Sequence, residues 1–242
     1  MALKVHLFPC LTDNYGFLVR DEASGAVASV DAPDGPAILA MLERLGWGRL
    51  DMILNTHWHP DHTQGAAMMQ AETGCQIVGP EESRRVCPVD RVVAGGEAIA
   101  LGDTTFDVSH TPGHTLGHVV FRSAADRLAF VGDVIFPLGC GRLFEGTPDQ
   151  MWSSLQAVAA WPHDTALFGA HEYAAGNARF ALTLDSRPEM QAHAQAIFAQ
   201  RERNQATVPT TVGIEAAFNP FLRAADVADF AVRRLAKDQF KG

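Results

Sequence analysis

The spacing of hydrophobic and polar positions changes along the chain at about residue 172. Before that point, short apolar or alternating runs flanked by Gly, Asp or Pro predict β-strands. The predicted strands are Lys4–Phe8, Tyr15–Arg20, Ala26–Val30, Met52–Asn55, Gln76–Val78, Thr105–Ser109, His118–Phe121 and Leu128–Val131. Helical spacing in the same region predicts helices over Gly35–Leu45, His62–Ala71 and Pro148–Ala160.

After residue 172 strand patterns disappear and Ala-, Gln- and Arg-rich segments follow a helical period. These segments are Ala174–Leu184, Pro188–Asn204 and Ala224–Phe240. A mixed α/β body over residues 1–172, followed by a helical domain over residues 173–242, fits this order of elements. The chain shows no internal repeat.

Composition narrows the class of protein. With 242 residues, 47% of them hydrophobic and 19% charged, the chain can bury a sizeable core. A net charge of −9 without any basic run weighs against a nucleic-acid partner. The sequence lacks both a membrane-spanning apolar run and a signal peptide, which predicts a cytoplasmic protein without a membrane partner. Cys10, Cys75, Cys87 and Cys140 form no CxxC pair, and we expect buried, idle thiols in a reducing compartment.

The stretch Asn-Thr-His-Trp-His-Pro-Asp-His at residues 55–62 concentrates metal-binding side chains. Residues two apart in an extended chain point to the same side, so His57 and His59 can face one ion. Asp61 and His62 follow the turn at Pro60. Four such groups exceed what one open catalytic site needs, but they fall short of two sites with about three protein ligands each.

Three further candidates lie at the ends of predicted strands or in turns. His114 follows a Pro-Gly turn, Asp133 ends an apolar strand, and His171 ends another. Together the seven residues predict two sites: His57, His59 and His114 at one ion, Asp61, His62 and His171 at the other, and Asp133 between them. Imidazole with carboxylate suits zinc, iron or manganese. His110 and His118 flank His114, and we expect them to orient it rather than to bind metal.

Several segments give the chain a resemblance, nearly end to end, to the glyoxalase II (hydroxyacylglutathione hydrolase) family of the metallo-β-lactamase superfamily. They are Asp13–Tyr15, Thr56–His62, Thr111–Thr115, Gly132–Asp133, Gly139–Gly146, Ala170–Tyr173, Phe218–Arg223 and Arg234–Asp238. The HxHxDH motif occurs throughout the superfamily, whereas the Gly-Cys-Gly-Arg run, the His-Glu-Tyr triplet and the Arg-x-x-Lys tail are more specific. The resemblance implies an α/β fold, an αββα sandwich with a C-terminal helical domain.

The resemblance also implies a reaction: hydrolysis of S-D-lactoylglutathione and related 2-hydroxyacyl glutathione thioesters in methylglyoxal detoxification. The nucleophile would be hydroxide generated by two divalent metal ions per chain, with zinc favoured and iron or manganese compatible. Asp61 and Asp133 would fix the metals and orient the hydroxide. The implied glutathione-binding residues are Arg142, Tyr173, Arg234 and Lys237.

One position departs from the family pattern. Phe144, the fifth residue implied to bind substrate, stands where the family typically has a tyrosine that hydrogen-bonds glutathione. Loss of one neutral hydrogen bond costs about 1 kcal/mol, or roughly fivefold in affinity. We therefore expect weaker glutathione binding or a broader thioester range. We also expect the protein to be a monomer whose partner is the glutathione thioester substrate.

Other members of the fold offer rival functions. A persulfide dioxygenase uses one iron held by two histidines and a carboxylate, and would need neither His171 nor the basic tail. A β-lactamase is expected to carry a signal peptide, and a nuclease a basic surface. A non-enzymatic binder of metal or glutathione predicts the loss of at least one ligand, yet all seven positions are filled. A thioester hydrolase is the favoured interpretation.

Overall fold

The computed structural model describes residues 3–242, which form two compact units. The first unit comprises the chain up to His110 together with Gly117–Gly132. The second comprises Thr111–Leu116 and Asp133–Gly242. None of the helices within residues 3–242 is both long and apolar enough to cross a bilayer.

The first unit contains ten strands, three helices and a 3₁₀ turn. The strands are β1 (Leu3–Cys10), β2 (Asn14–Asp21), β3 (Val27–Val30), β4 (Met52–Leu54), β5 (Gln76–Gly79), β6 (Arg91–Val92), β7 (Ala98–Leu101), β8 (Thr104–His110), β9 (Val119–Ser123) and β10 (Leu128–Gly132). The helices are α1 (Gly35–Leu45), α2 (Pro60–Thr63) and α3 (Ala66–Thr73), and the 3₁₀ turn spans Glu81–Arg85. All eight predicted strands are present, with ends shifted by a few residues.

Two sheets organise this unit. Strands β1 to β6 follow one another in sequence order, antiparallel from β1 to β3 and parallel from β3 to β6. Strands β7 to β10 form an antiparallel meander. Ile38 and Leu42 of α1 are buried in one cluster with Ile53 of β4, while Phe17 of β2 contacts Phe130 of β10 at 5.6 Å between ring centroids. The parallel strands β3, β4 and β5 end at one edge, which is where loops carry functional groups in open sheets.

The single helix predicted over His62–Ala71 is wrong, because the chain forms α2 and α3 with a break at Gln64 and Gly65. The amide of Gly65 donates to the carbonyl of Ala32 at 2.9 Å. A Cβ at Gly65 would lie 2.8 Å from that oxygen and 2.7 Å from the nitrogen of Gly35. This close approach to the start of α1 interrupts the helix, and only glycine fits there.

The second unit is mainly helical. Its helices are α4 (Pro148–Ala159), α5 (Ala174–Leu184), α6 (Pro188–Glu202), α7 (Val212–Phe218) and α8 (Val227–Gln239). Its strands are β11 (Ile135–Phe136), β12 (Gly139–Cys140), β13 (Ala166–Gly169) and β14 (Thr210–Thr211). The expectation of no strand after residue 172 is wrong for β14, which pairs with β13 but is too short to leave a pattern. Helix α8 begins at Val227 instead of Ala224 because Asp226 caps it, accepting from the amide of Asp229 at 2.9 Å.

A buried carboxyl group in this unit joins α7 to the turn between β11 and β12. Glu215 is fully buried and accepts hydrogen bonds from the amide of Leu138 at 2.9 Å, from Asn219 Nδ2 at 2.8 Å and from Thr210 Oγ1 at 2.6 Å. Asn219 Nδ2 also donates to the carbonyl of Gly139 at 3.0 Å. In the turn that includes Leu138, at a φ of 57°, the amide of Leu138 and the carbonyl of Gly139 are therefore satisfied by Glu215 and Asn219.

We expect Glu215→Gln to reduce the pH dependence of stability. Burial raises the pKa of Glu215 to about 7, although its three hydrogen-bond donors oppose the shift. Between the unfolded pKa of about 4.3 and about 7, the unfolded state releases a proton that the folded state keeps, so the stability present at low pH is lost as pH rises. The loss amounts to about 3 kcal/mol by pH 8. Urea unfolding at pH 5 and pH 8 measures it.

Glutamine keeps the shape of the side chain and can accept from Leu138 and donate to Thr210, so the variant should lose less stability between the two pH values than the wild type. Glu189→Gln, which changes an exposed carboxylate on α6, is the matched control. An equal decrease in the wild type and in Glu215→Gln would contradict the assignment.

The four cysteines are all buried and none forms a disulfide within residues 3–242. Burial raises the pKa of the Cys10 thiol to about 12 and that of Cys87 to about 11. Burial also raises the pKa values of Cys75 and Cys140. These thiols are protonated at neutral pH, as expected of cysteines that take no part in chemistry.

Candidate active site

The first unit places the four side chains of the HxHxDH motif as two pairs of donor atoms. His57 and His59 lie in the segment between β4 and Pro60, the first residue of α2. His57 Nε2 and His59 Nδ1 are 3.0 Å apart. Asp61 Oδ2 and His62 Nε2, on the first turn of α2, lie 3.5 Å apart. Two tetrahedral ligands at about 2.0–2.1 Å from one zinc ion lie roughly 3.3 Å apart. Each pair therefore has the spacing of two ligands of a single ion.

The second unit contributes a carboxylate that faces two imidazoles. Asp133 is buried, with Oδ2 at 3.3 Å from His114 Nε2 and Oδ1 at 3.4 Å from His171 Nε2. His114 follows the turn at Gly113, and His171 follows β13. Each oxygen faces a different histidine, so the carboxylate and the two imidazoles together form a donor set of the kind that binds divalent cations.

Hydrogen bonds at Nδ1 select the tautomer that metal binding requires. His62 Nδ1 lies 2.7 Å from Asp31 Oδ2, and His114 Nδ1 lies 2.9 Å from the carbonyl oxygen of Arg142. His57 Nδ1 lies 3.0 Å from Thr56 Oγ1, whose own proton goes to Asp31 Oδ2 at 2.9 Å. With the proton held on Nδ1, each ring presents the Nε2 lone pair. The donor set therefore fits divalent cations.

Asp31, at the end of β3, is a functional residue that sequence reasoning missed. Its Oδ1 accepts from the amide of Thr56 at 2.7 Å and from Asn55 Nδ2 at 3.0 Å, while Oδ2 accepts from Thr56 Oγ1 and from His62. The side chain is buried and the residue adopts a φ of 56°. A carboxylate directly after an apolar strand is the same signal that identified Asp133, and it could have been found in the same way.

Two other side chains of the first unit support the ligands from behind. The buried ring of His118 stacks on that of His57, with centroids 4.9 Å apart and planes at 26°. A Cβ at Gly132, where φ is 47°, would lie 2.7 Å from His118 Nε2, so glycine makes room for this ring. Asn14 of β2 donates to Asp61 Oδ2 at 3.0 Å. The sequence predicted that His118 orients His114, and the first unit places it against His57.

A cavity of about 650 Å³ in the second unit gathers the predicted substrate-binding residues. Two metal-ligand candidates, His114 and Asp133, lie in its wall. All five residues predicted to bind substrate also line it: Arg142, Phe144, Tyr173, Arg234 and Lys237. Arg179 lines it as well, a cation that the sequence did not single out. Its size is typical of small-molecule sites.

The cations of this cavity differ in their surroundings. Arg234 is only 5% exposed and donates to the carbonyl of Cys140 and to Asp238 Oδ1, both at 2.8 Å. Lys237 Nζ donates to the carbonyl of Gly176 at 2.9 Å. Burial, reinforced by the neighbouring arginines, lowers the pKa of Lys237 to about 8. This clustering of positive charge favours an anionic ligand.

The aromatic side chains of the cavity pack against the metal-ligand candidates. Phe144 is 63% exposed, and its ring meets that of His114 edge to face at 5.3 Å. Tyr173 stacks on His171 with centroids 4.8 Å apart and planes at 3°. The tyrosine at this position can therefore hold the histidine ring and still present its exposed side to the cavity.

Comparison with known proteins finds matches over nearly the whole chain. Residues 28–171 match the family model of the metallo-beta-lactamase superfamily, and residues 172–240 match that of the hydroxyacylglutathione hydrolase C-terminus. The hydroxyacylglutathione hydrolase of Erythrobacter litoralis (strain HTCC2594) is 45% identical over 251 residues, which cover 98% of this chain and 100% of that one.

Two solved structures confirm the predicted fold. ETHE1 from Myxococcus xanthus matches with a TM-score of 0.74 at 21% identity, over 100% of this chain and 93% of that one. A metallo-beta-lactamase from Staphylococcus aureus subsp. aureus COL matches with a TM-score of 0.74 at 19% identity, over 100% of this chain and 68% of that one. The donor set and the superfamily together indicate a protein that binds divalent metal ions. The chain belongs to the hydroxyacylglutathione hydrolase family of the metallo-β-lactamase superfamily.

Proposed function

We propose that this protein hydrolyses S-D-lactoylglutathione and related 2-hydroxyacyl glutathione thioesters to the hydroxy acid and glutathione. The observation that carries the proposal is the cavity whose wall contains His114 and Asp133 together with Arg142, Tyr173 and Lys237. Metal-ligand candidates thus lie beside groups that suit an anionic peptide. The 45% sequence identity to a hydroxyacylglutathione hydrolase, over 98% of this chain, supports the same reaction.

For the metals we propose two divalent ions, with zinc favoured and iron or manganese compatible. His57, His59 and His114 would hold one ion, Asp61, His62 and His171 the other, and Asp133 both. The spacing of the donor pairs within each unit supports this assignment. Metal ions bound by these residues would supply a hydroxide nucleophile for the thioester carbonyl, because a divalent cation lowers the pKa of a bound water from about 15.7 to roughly 7.

The protein's own side chains position these groups and bind the substrate. Asp31 and the carbonyl of Arg142 accept the Nδ1 protons of His62 and His114, which orients both rings with Nε2 available as the ligand atom. The thiol formed from the leaving thiolate has a pKa of about 8.5, so the thiolate can depart without a proton donor. Lys237, Arg142 and Arg234 would offset the charge of the glutathione carboxylates.

At Phe144 the ring can pack against the substrate but cannot donate a hydrogen bond. We propose that this lowers glutathione affinity by roughly fivefold relative to a tyrosine, as for loss of one neutral hydrogen bond. We further propose that the protein works in the cytoplasm as a monomer. We also propose that its partner is a small molecule and not a nucleic acid, which the net charge of −9 supports.

The test is hydrolysis of S-D-lactoylglutathione by the purified protein, followed as loss of thioester absorbance, with metal content determined on the same sample. Rapid hydrolysis with about two metals per chain is the expected result. Oxygen uptake with glutathione persulfide is the negative control. A metal-loaded protein that leaves the thioester intact would overturn the proposed function.

The protonation of Lys237 predicts how the affinity for an anionic ligand changes with pH. Its lowered pKa of about 8 means that the free protein loses this positive charge as pH rises through 8. A charge-assisted hydrogen bond contributes about 1.5–3 kcal/mol, so affinity for an anionic ligand should fall about tenfold or more above that pH. Calorimetry with S-methylglutathione, which cannot be hydrolysed, separates this effect from ionisation of the nucleophile.

Lys237→Arg is the control, because arginine stays charged throughout this range. Its affinity should change less between pH 7 and pH 9.5 than that of the wild type, although both experience the same titration of the ligand. Parallel curves for the two proteins would show that Lys237 does not contact the anion.

A further inference from the structure

The cavity of the second unit carries more positive charge than its neighbours neutralise. Four cations line it: Arg142, Arg179, Arg234 and Lys237. Of the two carboxylates in its wall, Asp133 faces the metal-ligand histidines, and Glu172 lies 3.4 Å from Arg201 and accepts from Thr207. Neither is therefore the counter-ion of these four cations. In a protein with a net charge of −9, this local excess suits a ligand with more than one negative group.

The four cations divide by their partners. Arg234 is buried against the ring of Phe221, with both terminal nitrogens bonded to Cys140 and Asp238. Arg142 faces the same Asp238 at 3.8 Å. Asp238 thus neutralises part of the positive charge of these two arginines.

Arg179 differs from them. It is exposed, and within residues 3–242 its guanidinium has neither a hydrogen bond nor an ion pair. Its charge reaches Lys237, whose pKa it helps to lower. These two cations are the least neutralised of the four.

Arg179 also has a defined place along α5. It lies three residues after Gly176, so these two positions are neighbours on one face of the helix, and both line the cavity together with Tyr173. Gly176 has no side chain, and its carbonyl is free to accept from Lys237. Arg179 is about 9 Å further along the helix axis than Tyr173, which stacks on the metal-ligand candidate His171. It therefore stands away from the reacting end of the cavity.

We propose that Arg179 determines specificity by binding one of the two carboxylates of the glutathione carrier, with Lys237 beside it, so that the cavity prefers thioesters of a dicarboxylate peptide. This inference rests on the proposed function. A thioester carbonyl at the metals leaves the ends of the tripeptide to extend along the cavity wall. Arginine binds a carboxylate with paired hydrogen bonds, which lysine cannot provide.

The test compares Arg179→Gln with the wild type on three thioesters. The first is S-D-lactoylglutathione, the second is its glycine ethyl ester, and the third is S-D-lactoyl-N-acetylcysteinylglycine, which lacks the γ-glutamyl carboxylate. We expect Arg179→Gln to raise KM about tenfold for the full substrate with little change in kcat, because the contact is equal in ground and transition states. For the substrate that lacks the carboxylate bound by Arg179, the variant and the wild type should have the same KM.

Arg203→Gln removes an exposed positive charge outside the cavity wall and is the matched control, so its KM should stay at the wild-type value. Thermal unfolding of each variant establishes that it is folded. An equal loss on all three thioesters would show that Arg179 does not bind a carboxylate, and no loss on any would show that it is a solvated surface arginine; either result would overturn the role of Arg179. If the wild type itself fails to hydrolyse S-D-lactoylglutathione, the proposed function is wrong, which separates that failure from this one.

Discussion

Replacement of Asp133 by Asn is expected to lower kcat/KM for S-D-lactoylglutathione by about 1,000-fold and to reduce the bound metal. Each carboxylate oxygen lies 3.3 or 3.4 Å from a different histidine nitrogen, so both oxygens lie beside atoms that we propose to bind metal. An amide nitrogen cannot take the place of one of them. Metal stabilisation of the reacting group is worth several kcal/mol, and about 4 kcal/mol corresponds to a factor of about 1,000 in rate.

Metal analysis and steady-state kinetics on the same preparation check this prediction. Asp149→Asn, on the exposed first turn of α4, makes the same chemical change away from the cavity and should keep both activity and metal. If Asp133→Asn kept its metal and lost less than about tenfold in rate, Asp133 would not be a bridging ligand.

The second large effect is expected from Asp31→Asn, although Asp31 is not itself a candidate ligand. Its Oδ2 accepts the Nδ1 proton of His62 at 2.7 Å. If the new amide group faces His62, it donates to Nδ1 and moves the ring proton to Nε2, the atom needed for metal. Substitutions of this kind typically cost 10–100-fold in metal affinity or activity. Here we expect the upper end of that range, because Thr56 loses an acceptor as well.

Titration of the metal-free protein with zinc, monitored by calorimetry, measures the effect without any assay of turnover. The stronger variant Asp31→Ala removes the acceptor of the Thr56 amide, of Thr56 Oγ1 and of His62 Nδ1, all of them buried, and we expect it to lower the free energy of unfolding by about 3–5 kcal/mol. Asp103→Asn changes an exposed carboxylate of the same unit as a control. Unchanged zinc affinity in Asp31→Asn would show that this carboxylate does not set the tautomer of His62.

Local patterns predicted most of the regular elements. Helix α1 begins at Gly35 and ends at Leu45 as the sequence indicates, because Asp34 caps its start and Gly46 adopts a left-handed conformation at its end. Strands of two residues, such as Thr210–Thr211, leave no period to detect. The break at Gly65 depends on contact with Ala32 and Gly35, which lie thirty or more residues earlier in the chain.

The site shows the same division between local and distant information. The donors of the HxHxDH motif are visible because they are adjacent in sequence, and in the first unit they lie as two close pairs of donor atoms. The sequence can mark Asp31 as a carboxylate at the end of a strand, but it cannot show the groups that Asp31 bonds, because these lie twenty-four to thirty-one residues away. The parallel register of β3 and β4 pairs Val30 with Leu54, which brings Asp31 beside Asn55 and Thr56. A sequence without a known strand order does not reveal that neighbour.

The buried thiols have a consequence for survival in a reactive environment. With a pKa of about 12, Cys10 exists as thiolate in roughly one molecule in 100,000 at pH 7, and thiolate is the form that electrophiles and peroxides attack. Iodoacetamide should therefore label the native protein slowly and the urea-unfolded protein quickly. Such a chain can meet carbonyl electrophiles and peroxides with little modification of its cysteines.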